Sequence, residues 1–259
     1  MITMKNHYHI EQRGTGQLLF ALHGFSEDSS TWARLCLPDV RIVAIDLIGH
    51  GRSAKPTELA PYELSAILSD LRAIFADISQ GEPYSLLGYS MGGRLALHFV
   101  LAFPDEPVEK LILESASAGI QAEELRRKRQ ISDEALAQEI EQKGAEWFAD
   151  FWGNLPLFDS QKGLSVEVQQ EIWTRRAKNQ PHALAQTLRA TGQGNLPNLT
   201  PRLTEISCPI LYIHGAMDSK YAQIAQKDFA KVAKIITVAG AGHNTHLEKP
   251  EFFNLACAY

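Results

Sequence analysis

Gly88-Tyr89-Ser90-Met91-Gly92-Gly93 sits directly after an apolar, β-favouring run at residues 84–87 and directly before an apolar helical run at residues 91–103. A strand that reverses into a helix within a few residues brings backbone too close to backbone for side chains. Glycines therefore flank the turn, and the serine at its apex is held exposed and strained. Ser90 is the candidate reactive serine; the plain alternative is a tight turn with an inert hydroxyl.

Outward from this turn, further β-favouring runs at residues 18–22, 41–45, 110–113, 209–213 and 233–238 alternate with helical periodicity. Residues 62–78, for example, place Leu64, Ile67, Leu68, Leu71, Ile74, Phe75 and Ile78 at helical spacings. A first edge strand is expected at residues 8–11, closed by Gly14-Thr15-Gly16, and with so little chain before Leu18 the first hairpin is expected to be short. The alternation predicts an α/β fold: a mostly parallel central sheet covered by helices on both faces. Between residues 115 and 209 the rhythm breaks, with helical stretches at 123–143, 145–152, 166–178 and 181–191 and no convincing strand. These helices read as an inserted cap, so the expected division is core at 1–116 and 204–259, and helical cap at 117–203.

Composition sets the outer limits. The 259 residues are 45% hydrophobic and 21% charged with a formal charge of −5, which describes an ordinary globular chain and excludes global disorder. That charge gives no footprint for a nucleic-acid backbone. Cys36, Cys208 and Cys257 are odd in number and lack metal-ligand spacing, so unpaired thiols in a reducing compartment are expected, without zinc. No apolar stretch is long enough for a membrane helix, and the first residues lack the basic start and apolar run of a signal peptide. A cytoplasmic address is the expectation.

A serine hydroxyl needs a base, and the base needs an orienting carboxylate. Asp218 follows the run at 209–213 through His214-Gly215-Ala216-Met217, and His243 lies in Ala239-Gly240-Ala241-Gly242-His243-Asn244 after the last run. Both fall at carboxyl ends of expected strands. The plain alternatives are a helix N-cap for Asp218 and a structural loop histidine for His243. His23-Gly24-Phe25-Ser26, after the run at 18–22, would bring the backbone N–H of Phe25 near Ser90, with the N–H of Met91 as second donor. In comparable sites each such donor to a developing oxyanion is worth about 3 to 4 kcal/mol.

Arg94, one helical turn beyond Ser90 in an apolar helix, points to an anionic ligand rather than to an internal ion pair. Arg126 and Arg176 arise from the cap and would close over the same ligand, with Arg129 in reserve because the register of the basic cluster is open; a solvated helix face is the alternative there. Tyr89, Trp152 and Phe158 are candidate pocket walls, with ordinary core packing as the alternative.

Taken together, His23-Gly24-Phe25, the segment 46–53, the Ser90 turn and Gly240-Ala241-Gly242-His243 resemble the α/β-hydrolase superfamily across essentially the whole chain, including its order of serine, acid and histidine. More narrowly, the chain is similar to the menaquinone-biosynthesis family of 2-succinyl-6-hydroxy-2,4-cyclohexadiene-1-carboxylate synthases. The narrow likeness rests on Arg94, on Glu124-Leu125-Arg126-Arg127-Lys128-Arg129 with Asp133, on Trp152 with Pro156-Leu157-Phe158, on Arg176, on Asp218-Ser219-Lys220 and on His243-Asn244. It implies an elimination rather than a hydrolysis. Pyruvate leaves from 2-succinyl-5-enolpyruvyl-6-hydroxy-3-cyclohexene-1-carboxylate, a small tricarboxylate, after Ser90, activated by His243 and Asp218, removes a ring proton. It also implies no cofactor, no metal, no nucleic-acid or membrane partner, and work as a monomer or small homo-oligomer. The competing enzyme reading is a cytoplasmic serine hydrolase of carboxylic esters or carbon–carbon bonds; a non-enzymatic binding protein would need one of the three residues to be missing.

Overall fold

The computed structural model describes residues 7–258. Its strands are β1 (Ile10–Arg13), β2 (Gln17–Leu22), β3 (Val40–Ile45), β4 (Tyr84–Tyr89), β5 (Val108–Glu114), β6 (Ile210–Gly215) and β7 (Ala233–Val238). They form one sheet in the order β1-β3-β2-β4-β5-β6-β7. Every pair from β3 to β7 is parallel, and β1 alone runs antiparallel, against β3. Central strands must be apolar on both faces, and β2 is buried from Leu18 to Leu22, while the edge strands β1 and β7 are mixed.

The first strand departs from its expected place. It begins at Ile10, because Tyr8 turns inward, buried, with its hydroxyl donating to Asp70 (3.1 Å). Nor does it make a hairpin with β2, whose two edges are taken by β3 and β4; it crosses to the open edge of β3.

Helices α1 (Leu64–Ser79) and α2 (Met91–Ala102) follow β3 and β4, and α2 is buried along nearly its whole length. Between β5 and β6 the described chain forms α3 (Glu123–Gly153), α4 (Val166–Ala177) and α5 (Pro181–Thr191). The two expected helices at 123–143 and 145–152 are arms of α3, bent at Gly144 (φ 88°, ψ 174°). Helices α3 and α5 share a small core of Ala137, Ile140, Phe148, Leu184, Ala185 and Leu188. Phe25 joins them to the sheet, its ring against Phe148 (5.7 Å) and Trp152 (5.4 Å). After β6 come the short α6 (Ser219–Ile224), then α7 (Thr245–Glu248) and α8 (Pro250–Cys257) beyond β7. All three cysteines are free, and no described helix is long and apolar enough to cross a membrane.

Candidate active site

Ser90 occupies the junction of β4 and α2 with φ 49° and ψ −102°, a backbone conformation that costs a non-glycine residue about 1 to 3 kcal/mol. The junction is this tight because a Cβ on Gly92 would run into the Leu22 carbonyl, so α2 starts hard against the end of β2. Gly92 N–H donates to the His23 carbonyl (3.1 Å), which ties the loop carrying Phe25 to the start of α2. Met91 is the first residue of that helix, where N–H groups have no intrahelical acceptor. His23 fixes the other side of the loop: its Nε2 accepts from Leu47 N–H (2.9 Å).

His243 lies 3.1 Å from the Ser90 hydroxyl through Nε2, and 2.7 Å from Asp218 Oδ2 through Nδ1. A carboxylate only accepts, so Nδ1 carries the proton and Nε2 is free to take one from Ser90. Asp218 is also the N-cap of α6, its Oδ1 accepting from Tyr221 N–H (3.1 Å). Capping and orienting are thus divided between its two oxygens rather than being alternatives. Tyr221, brought round by that capped turn, packs tilted against the imidazole, with 4.5 Å between ring centroids.

The histidine loop is held by buried carboxylates. Glu248 accepts from Gly242 N–H (2.6 Å) and Asn244 N–H (3.2 Å), and burial pushes its pKa up against those donors. Glu114, at the end of β5, accepts from Thr245 Oγ1 (2.5 Å), His246 N–H (3.0 Å) and His246 Nδ1 (2.6 Å). Its backbone carbonyl accepts from Ser90 N–H (2.8 Å). Neither acid stands out in the sequence as part of the site; the one signal is a carboxylate ending the apolar run Leu111-Ile112-Leu113.

Ser90 opens on a cavity of about 550 Å³ between sheet and cap helices. Phe25, Met91 and Arg94 line it from the sheet side, Arg129, Asp133 and Trp152 from α3, and Lys220 and Tyr221 from α6; much of the remaining wall is leucine. Arg94 takes part in none of the ion pairs found among the described residues, and its Nε is buried without a hydrogen-bond partner. Burial pulls its pKa down to about 10, with Arg129 adding to the effect and Tyr221 and Asp133 opposing it, so it remains a cation at neutral pH.

The other expected ligand and wall residues stand elsewhere. Arg126 does not line the cavity; its carbonyl packs beside Gly194, and Arg129, one turn on, takes the inward face. The first turns of α3 are charged all round, so no apolar stripe marked the register. Arg129 pairs with Asp133 (2.7 Å) and Gln193 (2.9 Å). Tyr89 is buried beneath the histidines, 5.3 Å from His243 and 5.1 Å from His246, because strand alternation sends it to the face of Leu87, away from the cavity. Phe158 packs between His243 (5.9 Å) and Arg176, whose guanidinium lies 4.5 Å over the ring. Arg176, 4% exposed, lines a neighbouring cavity of about 320 Å³ with Gln161 and Trp173. Trp152 keeps its expected place as a cavity wall. Among the described residues no group of three or more His, Cys, Asp or Glu could hold a metal ion.

With this geometry established, known proteins give it context. A profile described as the alpha/beta hydrolase family matches residues 18–256. A Yersinia pestis 2-succinyl-6-hydroxy-2,4-cyclohexadiene-1-carboxylate synthase is 31% identical over 92% of this chain and 85% of its own length. A Bacillus subtilis chain that carries the same name provisionally is 36% identical over 94% and 89%. Among solved structures, MenH from S. aureus superposes with a TM-score of 0.88 at 36% identity, covering 97% of this chain and 96% of that one. A thermophilic esterase from Thermogutta terrifontis reaches 0.82 at 24% identity, a likeness of fold alone, covering 96% and 91%.

Proposed function

Because this chain belongs to the α/β-hydrolase family and, within it, to the 2-succinyl-6-hydroxy-2,4-cyclohexadiene-1-carboxylate synthases, we propose that its Ser90 cavity eliminates pyruvate from 2-succinyl-5-enolpyruvyl-6-hydroxy-3-cyclohexene-1-carboxylate. His243 Nε2 takes the Ser90 proton as Ser90 Oγ takes the ring proton next to the succinyl ketone. The released electron pair forms a double bond to the neighbouring ring carbon, the existing ring double bond shifts one position toward the carbon bearing the enolpyruvyl group, and the carbon–oxygen bond there breaks; the leaving enolate then gains the proton held by His243 and becomes pyruvate. Asp218 stabilises the imidazolium formed on the way. The N–H groups of Phe25 and Met91 stabilise charge on the ketone oxygen.

The observation that carries this reading is Arg94: a guanidinium in the same cavity as Ser90, its Nε buried without a hydrogen-bond partner and the group in none of the ion pairs found among the described residues. A neutral ester gives it no counter-charge, whereas a carboxylate matches it through two parallel hydrogen bonds. Arg129 offers a second cationic group from above, and Arg176 would reach the same ligand once Phe158 turns aside. On this reading the protein works in the cytoplasm on a tricarboxylate, by proton transfer and charge stabilisation. The test is pyruvate release from the enolpyruvyl substrate. A burst of acyl-enzyme with activated esters and no pyruvate would replace the lyase by the hydrolase.

A further inference from the structure

We infer that Asn179 is a positioning residue for the oxyanion turn, holding Ser26 in a left-handed conformation from the end of a cap helix and thereby aiming the Phe25 N–H at the reacting oxygen. The inference rests on the proposed function for its kinetic part. Gly24-Phe25-Ser26-Glu27 is a turn closed by Glu27 N–H donating to the Gly24 carbonyl (3.2 Å). Ser26, its third residue, has φ 66°, the sign for which glycine is normally chosen at that position. The Ser26 hydroxyl is buried without a partner, so its own side chain does not hold the turn. Its carbonyl does: Asn179 Nδ2 donates to it at 2.9 Å. The same Nδ2 lies 3.1 Å from the carbonyls of Arg175 and Arg176, so the amide, 7% exposed, joins the C-terminal end of α4 to the turn.

Arg176 stands on that same helix end. The helix end that carries Arg176 into the neighbouring cavity is therefore also the one that reaches the oxyanion turn. Arg175 ties α4 to the neighbouring loop independently, through Ser30 Oγ (3.0 Å) and Asp28 (3.5 Å), without touching Ser26. That makes it the control.

The experiment compares Asn179→Ala, Asn179→Asp and Arg175→Ala in the full chain by hydrogen exchange and by steady-state pyruvate release. For Asn179→Ala, exchange over residues 23–30 should rise about fivefold or more with residues 84–102 unchanged, and kcat should fall about tenfold with KM within about twofold. Asn179→Asp keeps the size but faces carbonyls with a carboxylate; its kcat relative to wild type should be lowest at neutral pH and recover as the acid is protonated and can donate again. Arg175→Ala should keep kcat within about twofold of wild type. Unchanged exchange at 23–30, a retained kcat in Asn179→Ala, a flat pH ratio in Asn179→Asp, or an equal loss in Arg175→Ala would each overturn the assignment. If the wild-type protein released no pyruvate, the synthase reading would fall while the exchange measurement still decided whether Asn179 holds the turn.

Discussion

On the sheet side of the cavity Ser90, Asp218 and His243 each stand a few residues past the end of a strand, whereas on the helical side Arg129, Asp133 and Trp152 hang from one long helix bent at Gly144. The strand ends are fixed by hydrogen bonding to neighbouring strands, two each for β4 and β6 and one for the edge strand β7, so the groups placed there inherit the precision of the sheet. A cap helix takes its rotation from side-chain packing alone, and α3 has little apolar periodicity in its first turns to set it. The two halves of one cavity therefore differ in how tightly sequence constrains geometry.

Substitutions can break or sharpen this contrast. The largest effect is expected on the sheet side: Ser90→Ala should lower kcat for pyruvate release by about 10³- to 10⁵-fold while far-UV circular dichroism stays that of the wild type. A loss below tenfold would remove Ser90 from the chemistry. Next comes the division among the arginines. Arg94→Ala should cost about 10- to 100-fold in kcat/KM with an unchanged or higher Tm, since a half-buried cation in no ion pair, its Nε covered without a hydrogen-bond partner, does not stabilise the fold. Arg126→Ala should stay within about twofold of wild type, and equal losses for the two would show that the structure separates them wrongly.

A third measurement probes the bed beneath the oxyanion turn. His50 lies fully buried beside Phe25 (6.0 Å between rings), and burial, helped by His23, lowers its pKa from 6.5 to about 3. Neutral in the fold but readily protonated once unfolded, it contributes its full stability above pH 6.5 and loses it as pH falls toward 3. That loss is on the order of 3 to 5 kcal/mol, read from urea midpoints against pH, and His50→Gln should flatten the slope. No effect at all is expected from chelation: exhaustive dialysis against EDTA should leave kcat unchanged, and activity restored only by a divalent ion would contradict the metal-free reading.

The seven strands and the position of Ser90 were legible because each rests on a local signal, an apolar run or a glycine-forced turn. Asp218 and His243 were legible as loop residues after strands, and the structure brings them to Ser90. Tyr89 misled because its neighbour lines the cavity, yet adjacent residues of a strand face opposite ways. Phe158 and Arg176 misled because their placement depends on how two cap elements meet across Gln161, a contact between residues that carry no mutual mark in the chain. Glu114 and Asn179 are not legible for the same reason: each acts by reaching a backbone group distant in sequence, and backbone groups are the same at every position.

Glu114 grips the serine turn with its carbonyl and the segment just after the histidine with its carboxylate. A single residue thus serves as a common anchor for the segments that carry Ser90 and His243, so a displacement of the sheet carries the two along together. Under the proposed mechanism, the Ser90–His243 spacing is set from beneath by the sheet rather than by the helices above, so seating a bulky ligand does not require the pair to be rebuilt.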